Sequence, residues 1–245
     1  PIEQPPGSVG MRVPYSQIRI AHLDGDKVIK NCPVGESGVI LVKGPQVFKG
    51  YKVEVDNTNA WIEDGWFNTG DLGYLDEDDC LYLSGRAKDL IIRGGHNIDP
   101  ELIEEPLMSH SEIASAIAIG LPDAYAGELP MAYAVRKPGS NVSEAELIKY
   151  CEERISERAA VPKRIDFIKE MPLTAVGKIF RPTLRQKIAE EVVEQSLKSL
   201  NINVSVTSDI EKKRGLIVSI VTTDSADKEK IAEVLKPYTF NTNIS

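Results

Sequence analysis

Long apolar runs are missing from this 245-residue chain, so no helix that could span a bilayer is expected, and no signal-like segment opens it. Cysteine is scarce. Cys32, Cys80 and Cys151 are odd in number, far apart and without Cys-x-x-Cys or histidine spacing. That argues against a disulfide framework or a zinc site, and for reduced thiols in a cytoplasmic protein; no metal site is expected. Positive charge is in deficit, with 29 Lys and Arg against 37 Asp and Glu, and the net charge of −8 argues against general nucleic-acid binding. What is present is an ordinary globular composition, 42% apolar and 27% charged, with length enough for one or two domains and a hydrophobic core.

Between Gly7 and Leu83 the pattern is one of short strands and turns. Ile18 to Ile20, Gly38 to Val42 and Cys80 to Leu83 read as strands, punctuated by Asp24-Gly25, Gly35 to Gly38, Gly44-Pro45 and the acidic turn Asp76 to Asp79. Such spacing predicts a small antiparallel β-barrel or sandwich. After Arg86 the texture becomes α+β. A strand over Leu90 to Ile92 leads to a helix with Asp99 as N-cap and Pro100 at its first position, then strands near Ala114 to Ile119 and Met131 to Val135. Ser143 and Glu146 form a capping box before Leu147, Ile148, Cys151 and Ile155. A strand over Ile165 to Lys169 and a helix carrying Leu184, Ile188 and Val192 follow. Beyond Leu200, Val204 to Val206 and Leu216 to Val221 read as strands joined by a charged turn over 211–215, and a helix runs from about Ala226 to Leu235.

Three ordered motifs carry the chemistry. The first is Thr69-Gly70-Asp71. The second is Gly85-Arg86-Ala87-Lys88-Asp89, followed by Gly94-Gly95-His96-Asn97. The third is Pro172-Leu173-Thr174-Ala175-Val176-Gly177-Lys178-Ile179-Phe180-Arg181. A Gly-Lys turn alone is weak evidence, because lysines crowd surface turns; the three together are specific. Over about Gly7 to Val193 they make the chain resemble the acyl-adenylate-forming (AMP-binding) ligases, the superfamily of acyl-CoA synthetases, peptide-synthetase adenylation domains and beetle luciferases.

The resemblance implies a fold and a division. Residues 1–87 would be a β-barrel subdomain ending a large N-terminal domain, and residues 88–198 a mobile α+β C-terminal domain. Residues 199–245 would form a β-β-α tail outside the family pattern, whose plain reading is added packing and whose alternatives are a cap, an oligomer contact or a regulatory site. The phosphate loop and acyl pocket would lie upstream, which implies a C-terminal fragment, inactive alone, of an ATP-dependent acyl-CoA synthetase. It would join a carboxylic acid to coenzyme A through an acyl-AMP, with ATP and Mg²⁺. A non-catalytic nucleotide- or CoA-binding module, or an adenylation domain loading a carrier protein, are the alternatives. Self-assembly is left open.

The site residues follow from matched positions. Lys178 corresponds to the adenylation lysine, whose ammonium meets charge that develops at the phosphoryl group in the transition state. Asp71 corresponds to the ribose-binding aspartate, able to accept from two vicinal hydroxyls. Arg86 would donate to ribose and phosphate oxygens, and Thr69 would shape the loop. Lys88 takes the hinge position, where many relatives carry Asp. Gly94, Gly95 and His96 would line the pantetheine tunnel, His96 at its rim. Asn97 stands where some relatives place an arginine for a CoA phosphate.

Overall fold

The computed structural model describes residues 5–57, 60–211, 215–224 and 226–245, and its chain divides into two compact units, Pro1–Asp89 and Leu90–Ser245. The tip of the charged turn expected over 211–215, residues 212–214, lies outside the described residues.

In the first unit, turns every few residues cut the chain into β1 (Ser8–Met11), β2 (Gln17–Asp24), β3 (Lys27–Asn31), β4 (Gly38–Lys43), β5 (Trp61–Ile62), β6 (Trp66–Leu75) and β7 (Cys80–Arg86). Gly25 takes φ +60° in the β2–β3 hairpin, a conformation that costs a glycine little. At the acidic turn the Asp76 carboxylate accepts from Asp78 N at 3.0 Å and Cys80 N at 2.8 Å, which closes the turn locally. The strands pair antiparallel in the order β1-β7-β6-β4-β2-β3, with β5 on β6. The expected barrel is therefore an open sheet. Among the described residues β1 and β3 each pair on one side only; β1 is four residues long with a bulge, and β3 is almost wholly exposed, so neither offers the other an apolar edge to close on. Its buried centre is small, Ala21, Leu41 and Ile62 packed with Leu23, Val28, Val39 and Trp66.

The second unit is built on β8 (Ile91–Arg93), β9 (His96–Ile98), β10 (Ile113–Asp123), β11 (Gly127–Arg136) and β12 (Arg164–Phe167), ordered β10-β11-β8-β9 with β12 parallel to β11. Alternation along its two longest strands, β10 and β11, sorts their side chains. Ala116, Ala118, Ala132 and Ala134 face helices α1 (Glu101–Ser109) and α2 (Glu144–Glu152), while Ile117, Ile119, Met131 and Tyr133 face α3 (Arg181–Leu197). The capping box at α2 forms as read: Glu146 accepts from Ser143 N at 2.8 Å, and Ser143 Oγ accepts from Glu146 N. Asp99 caps α1 by accepting from Glu101 N at 3.0 Å, with the helix opening one residue later than expected.

Helix α3 has two buried faces. Leu184, Ile188 and Val192 pack on the five-stranded sheet, and Ala189, Val193 and Leu197 on a second sheet of β13 (Val204–Glu211), β14 (Gly215–Thr222) and β15 (Asn241–Ile244), with α4 (Asp227–Leu235). Both sets are spaced by four residues, so each forms its own stripe. The tail is thus β-β-α-β, its last strand parallel to β14 and absent from the sequence reading. It shares its core with α3, each buried aliphatic side chain contributing about 1.5–3 kcal/mol.

Among the described residues of this unit one charged side chain is buried. Glu104 on α1 accepts from Ala118 N of β10 at 2.9 Å and from Arg181 Nη2 at 2.7 and 2.9 Å. It is 6% exposed. Arg181 opens α3, where a cation opposes the helix dipole and no side chain caps the helix, so the carboxylate of Glu104 offsets an unfavourable charge at that end. We predict that Arg181→Ala lowers unfolding free energy by about 3 kcal/mol, because it strands a buried carboxylate. A urea-denaturation loss below about 1 kcal/mol would show that the pair does not hold α1, β10 and α3 together.

Candidate functional site

In the first unit three of the expected residues come together on β6 and β7. Asp71 and Arg86 are direct partners in the β6–β7 ladder, and Arg86 Nε lies 3.0 Å from Asp71 Oδ1, an ion pair. The loop-like start of β6 is shaped by its own side chains. Thr69 Oγ1 donates to Ile40 O at 2.9 Å and accepts from Asp71 N at 3.1 Å, while Asn68 Oδ1 accepts from Gly70 N at 2.9 Å. Gly70 takes φ +74°, which lets the chain bend between Thr69 and Asp71. Asp71 therefore presents a half-buried carboxylate, a third exposed, beside an exposed guanidinium (Arg86 57%, Asp71 33%). A carboxylate with free lone pairs next to a fork of donors suits a polyol carrying an anionic group. Asn68 was not among the expected residues; an Asn two before a glycine is a readable turn signal. Trp61 and Phe67 pack with Phe48, and Phe48 with Tyr51, ring centroids 4.8–5.8 Å apart, so the connection after β4 builds an aromatic cluster against β5 and β6. Trp66 instead packs on the core.

Lys88 lies in the single-turn segment Ala87–Asp89 and is exposed, one residue before the division between the units. Gly94 and Gly95 form the two-residue loop of the β8–β9 hairpin, at φ +58° and +83°, with Arg93 paired to His96. A Cβ at either glycine would meet open space, so the turn's left-handed torsions, rather than crowding, demand glycine there. Gly94 N donates to Ala126 O at 2.6 Å, which ties the loop tip to the β10–β11 turn. His96 Nε2 lies 2.6 Å from Glu157 Oε1, an exposed pair beside the glycines, and Asn97 is exposed.

Lys178 stands on a separate hairpin, after β12 and just before α3. Leu173 bridges Ile179, and Thr174 N donates to Lys178 O at 2.7 Å. Gly177 N donates to Thr174 O at 2.8 Å, and Lys178 N to Thr174 Oγ1 at 3.1 Å. Gly177 takes φ +79° with open space around it. The backbone of the turn is thus fixed while the lysine side chain and its neighbours Leu173 and Val176 are exposed. Three residues later Arg181 enters the Glu104 contact, which the sequence motif included without indicating its partner.

Next to the glycine hairpin, burial pushes the Asp99 carboxyl up to about 6, reinforced by the charges of Glu101 and Glu104 and opposed by its bond from Glu101 N and by Arg181. The native state then holds this proton at a pH where the unfolded chain, with its ordinary value of 3.8, has lost it. Asp99 therefore favours folding most at low pH, and that contribution falls as pH rises through about 4 to 6. Asp99→Asn, which keeps an acceptor for Glu101 N, is expected to raise the denaturation midpoint at pH 8 and to lose this advantage below pH 4; a pH-independent effect would contradict this.

Residues 102–178 match the AMP-binding enzyme C-terminal domain model. A marinolic acid–CoA ligase from a Pseudoalteromonas species is 48% identical over 231 residues, covering 93% of this chain, most of the tail included, and 35% of that protein. The ATP-bound structure of MatB from Rhodopseudomonas palustris superposes with a TM-score of 0.67 at 34% identity, over 74% of this chain and 35% of that one. The o-succinylbenzoate CoA synthetase of Bacillus subtilis, in complex with its acyl-adenylate intermediate, gives 0.65 at 38% identity, over 73% and 35%. The chain spans about a third of the length of the relatives it matches. With this sequence, these hairpins and this sheet order, the chain belongs to the acyl-adenylate-forming (AMP-binding) ligase superfamily and corresponds to its C-terminal portion.

Proposed function

We propose that this chain is the C-terminal part of an AMP-forming acid–thiol ligase. A carboxylate attacks the α-phosphorus of ATP to give acyl-AMP and pyrophosphate, and the thiol of coenzyme A then displaces AMP to give the thioester. The reading rests on one observation above the rest: an exposed lysine on a hairpin fixed by four backbone-directed contacts, in a chain related to CoA ligases. A backbone locked before the reaction presents its charge without reorganisation, which is where electrostatic stabilisation of a transition state is worth most.

In this reading Lys178 neutralises charge on the reacting phosphoryl group. Asp71 accepts from the ribose hydroxyls, Arg86 donates to ribose or phosphate oxygens and holds the Asp71 carboxylate in place, and Thr69 sets the loop. Gly94 and Gly95 leave the hairpin loop bare beside the path of the pantetheine arm, with His96 at its rim. The division is 1–87, 88–198 and 199–245, with Lys88 as pivot; the break between compact units after Asp89 supports a pivot at that point. The relatives are named for varied acids, and the tail, largely matched in the marinolic acid–CoA ligase, supports an enzyme of that kind. The free thiols Cys32, Cys80 and Cys151 support a cytoplasmic setting. Mg²⁺ accompanies ATP in the proposed reaction. Asp71, the carboxylate at the candidate nucleotide site, is engaged by Arg86, and the described residues gather no group of three or more carboxylates that would suit that ion. No step is therefore assigned to it through this chain.

Two outcomes are expected in the intact ligase. Lys178→Ala lowers carboxylate-dependent pyrophosphate exchange about 10²–10³-fold, while thioester formation from supplied acyl-adenylate stays close to wild type. Equal loss in both half-reactions would refute the lysine's role. Lys88→Pro fixes a backbone torsion that the pivot must change, and leaves at most one half-reaction running; normal rates in both would remove Lys88 from that position.

A further inference from the structure

The β2–β3 hairpin and the turn after it gather three different metal-binding groups far from the motif residues in sequence. His22 is on β2, Cys32 follows β3, and Glu36 is in the turn leading into β4. Their donor atoms, one nitrogen, one sulfur and one carboxylate oxygen, all lie within 4.8 Å of one another. The backbone carrying them is pinned. Cys32 N donates to Ile20 O at 2.9 Å, Glu36 N to Pro33 O at 3.1 Å, and Gly35 N to Leu75 O at 2.9 Å. Room for the sulfur is built in. Gly38 has no left-handed φ to explain a glycine, yet a Cβ there would come within 2.6 Å of Cys32 Sγ. Glu36 already gathers polar partners: His22 Nε2 lies 2.8 Å from Oε1, and the Lys30 ammonium lies 3.2 Å from both carboxylate oxygens.

We propose that His22, Cys32 and Glu36 form a binding site for a borderline-soft divalent cation of the zinc class, with water as the fourth ligand. Sulfur and imidazole with a single carboxylate suit that class and disfavour Mg²⁺ or Ca²⁺, which take oxygen. Bonds of about 2.0–2.3 Å to a tetrahedral ion place donor atoms roughly 3.3–3.8 Å apart, so closure by about 1 Å is needed. Side-chain rotation of the exposed His22 and half-exposed Glu36 supplies it. On binding, the Cys32 thiol gives its proton to solvent and ligates as thiolate, and the Lys30 ammonium yields its place on Glu36 to the ion. The bound ion would clasp β2 and the end of β3 to the start of β4, where Val39 pairs with Leu72, the neighbour of Asp71.

Cobalt(II) is the probe, titrated into the reduced chain. One equivalent is expected to bind with a thiolate-to-cobalt charge-transfer band, and zinc to displace it. Cys32→Ser is expected to abolish the band, and His22→Gln and Glu36→Gln each to weaken affinity about ten-fold or more. Lys30→Gln, which removes the competing cation, is expected to tighten binding, a result that a plain surface ion-pair network would not give. The buried Cys80 and Cys151 cannot substitute. Should Cys32→Ser fail to fold, judged by circular dichroism without metal, the exposed His22 and Lys30 variants decide. Absence of the band, its survival in a folded Cys32→Ser, unchanged affinity in His22→Gln and Glu36→Gln, or weaker binding in Lys30→Gln overturns the site.

Discussion

The carboxylate of Glu104 is the constraint on which the second unit depends. It is buried, and it satisfies a backbone donor of the edge strand β10 while meeting the guanidinium that begins α3. A buried ion pair of this kind adds little net stability against an apolar replacement, but it tolerates only one arrangement of its partners. What it fixes is position. The lysine hairpin ends at Phe180, one residue before Arg181, so the end of the hairpin cannot drift without tearing charge from charge in a desolvated place.

The proposed chemistry distributes over two kinds of support. Asp71 and Arg86 are held by a strand ladder, where a cross-strand register makes them neighbours and Thr69 bonds the loop to β4. Lys178 and the glycines are held by tight turns, where positive φ at Gly94, Gly95 and Gly177 sets direction while the side chains stay in solvent.

Local features were legible because their causes are local. Gly177 and the Gly94-Gly95 pair announce turns through a torsion other residues avoid, and Ser143 with Glu146 announces α2 through a cap three residues long. The stripe Leu184, Ile188, Val192 was readable as one apolar face. The second stripe on α3 was not. Ala189 is small and Val193 and Leu197 continue what looks like one broad face until a second sheet is seen to cover them. The barrel expectation failed for a related reason: strand spacing reports strands, whereas closure depends on whether β1 and β3 meet, which spacing does not encode. Nor does residue spacing reveal that His22 faces Cys32 and Glu36, because hairpin register and the turn after β3 decide it.

By itself the sequence determined the superfamily and the turns, since those rest on residue types acting over a few neighbours. Only the tertiary structure decided which charges meet. Arg181 reaches Glu104 across 77 positions, and Arg86 reaches Asp71 through a strand register. Pairing over such separations is fixed by how sheets and helices bury their apolar faces. The free energy that chooses it is spread over the whole core, so no short stretch of chain records it.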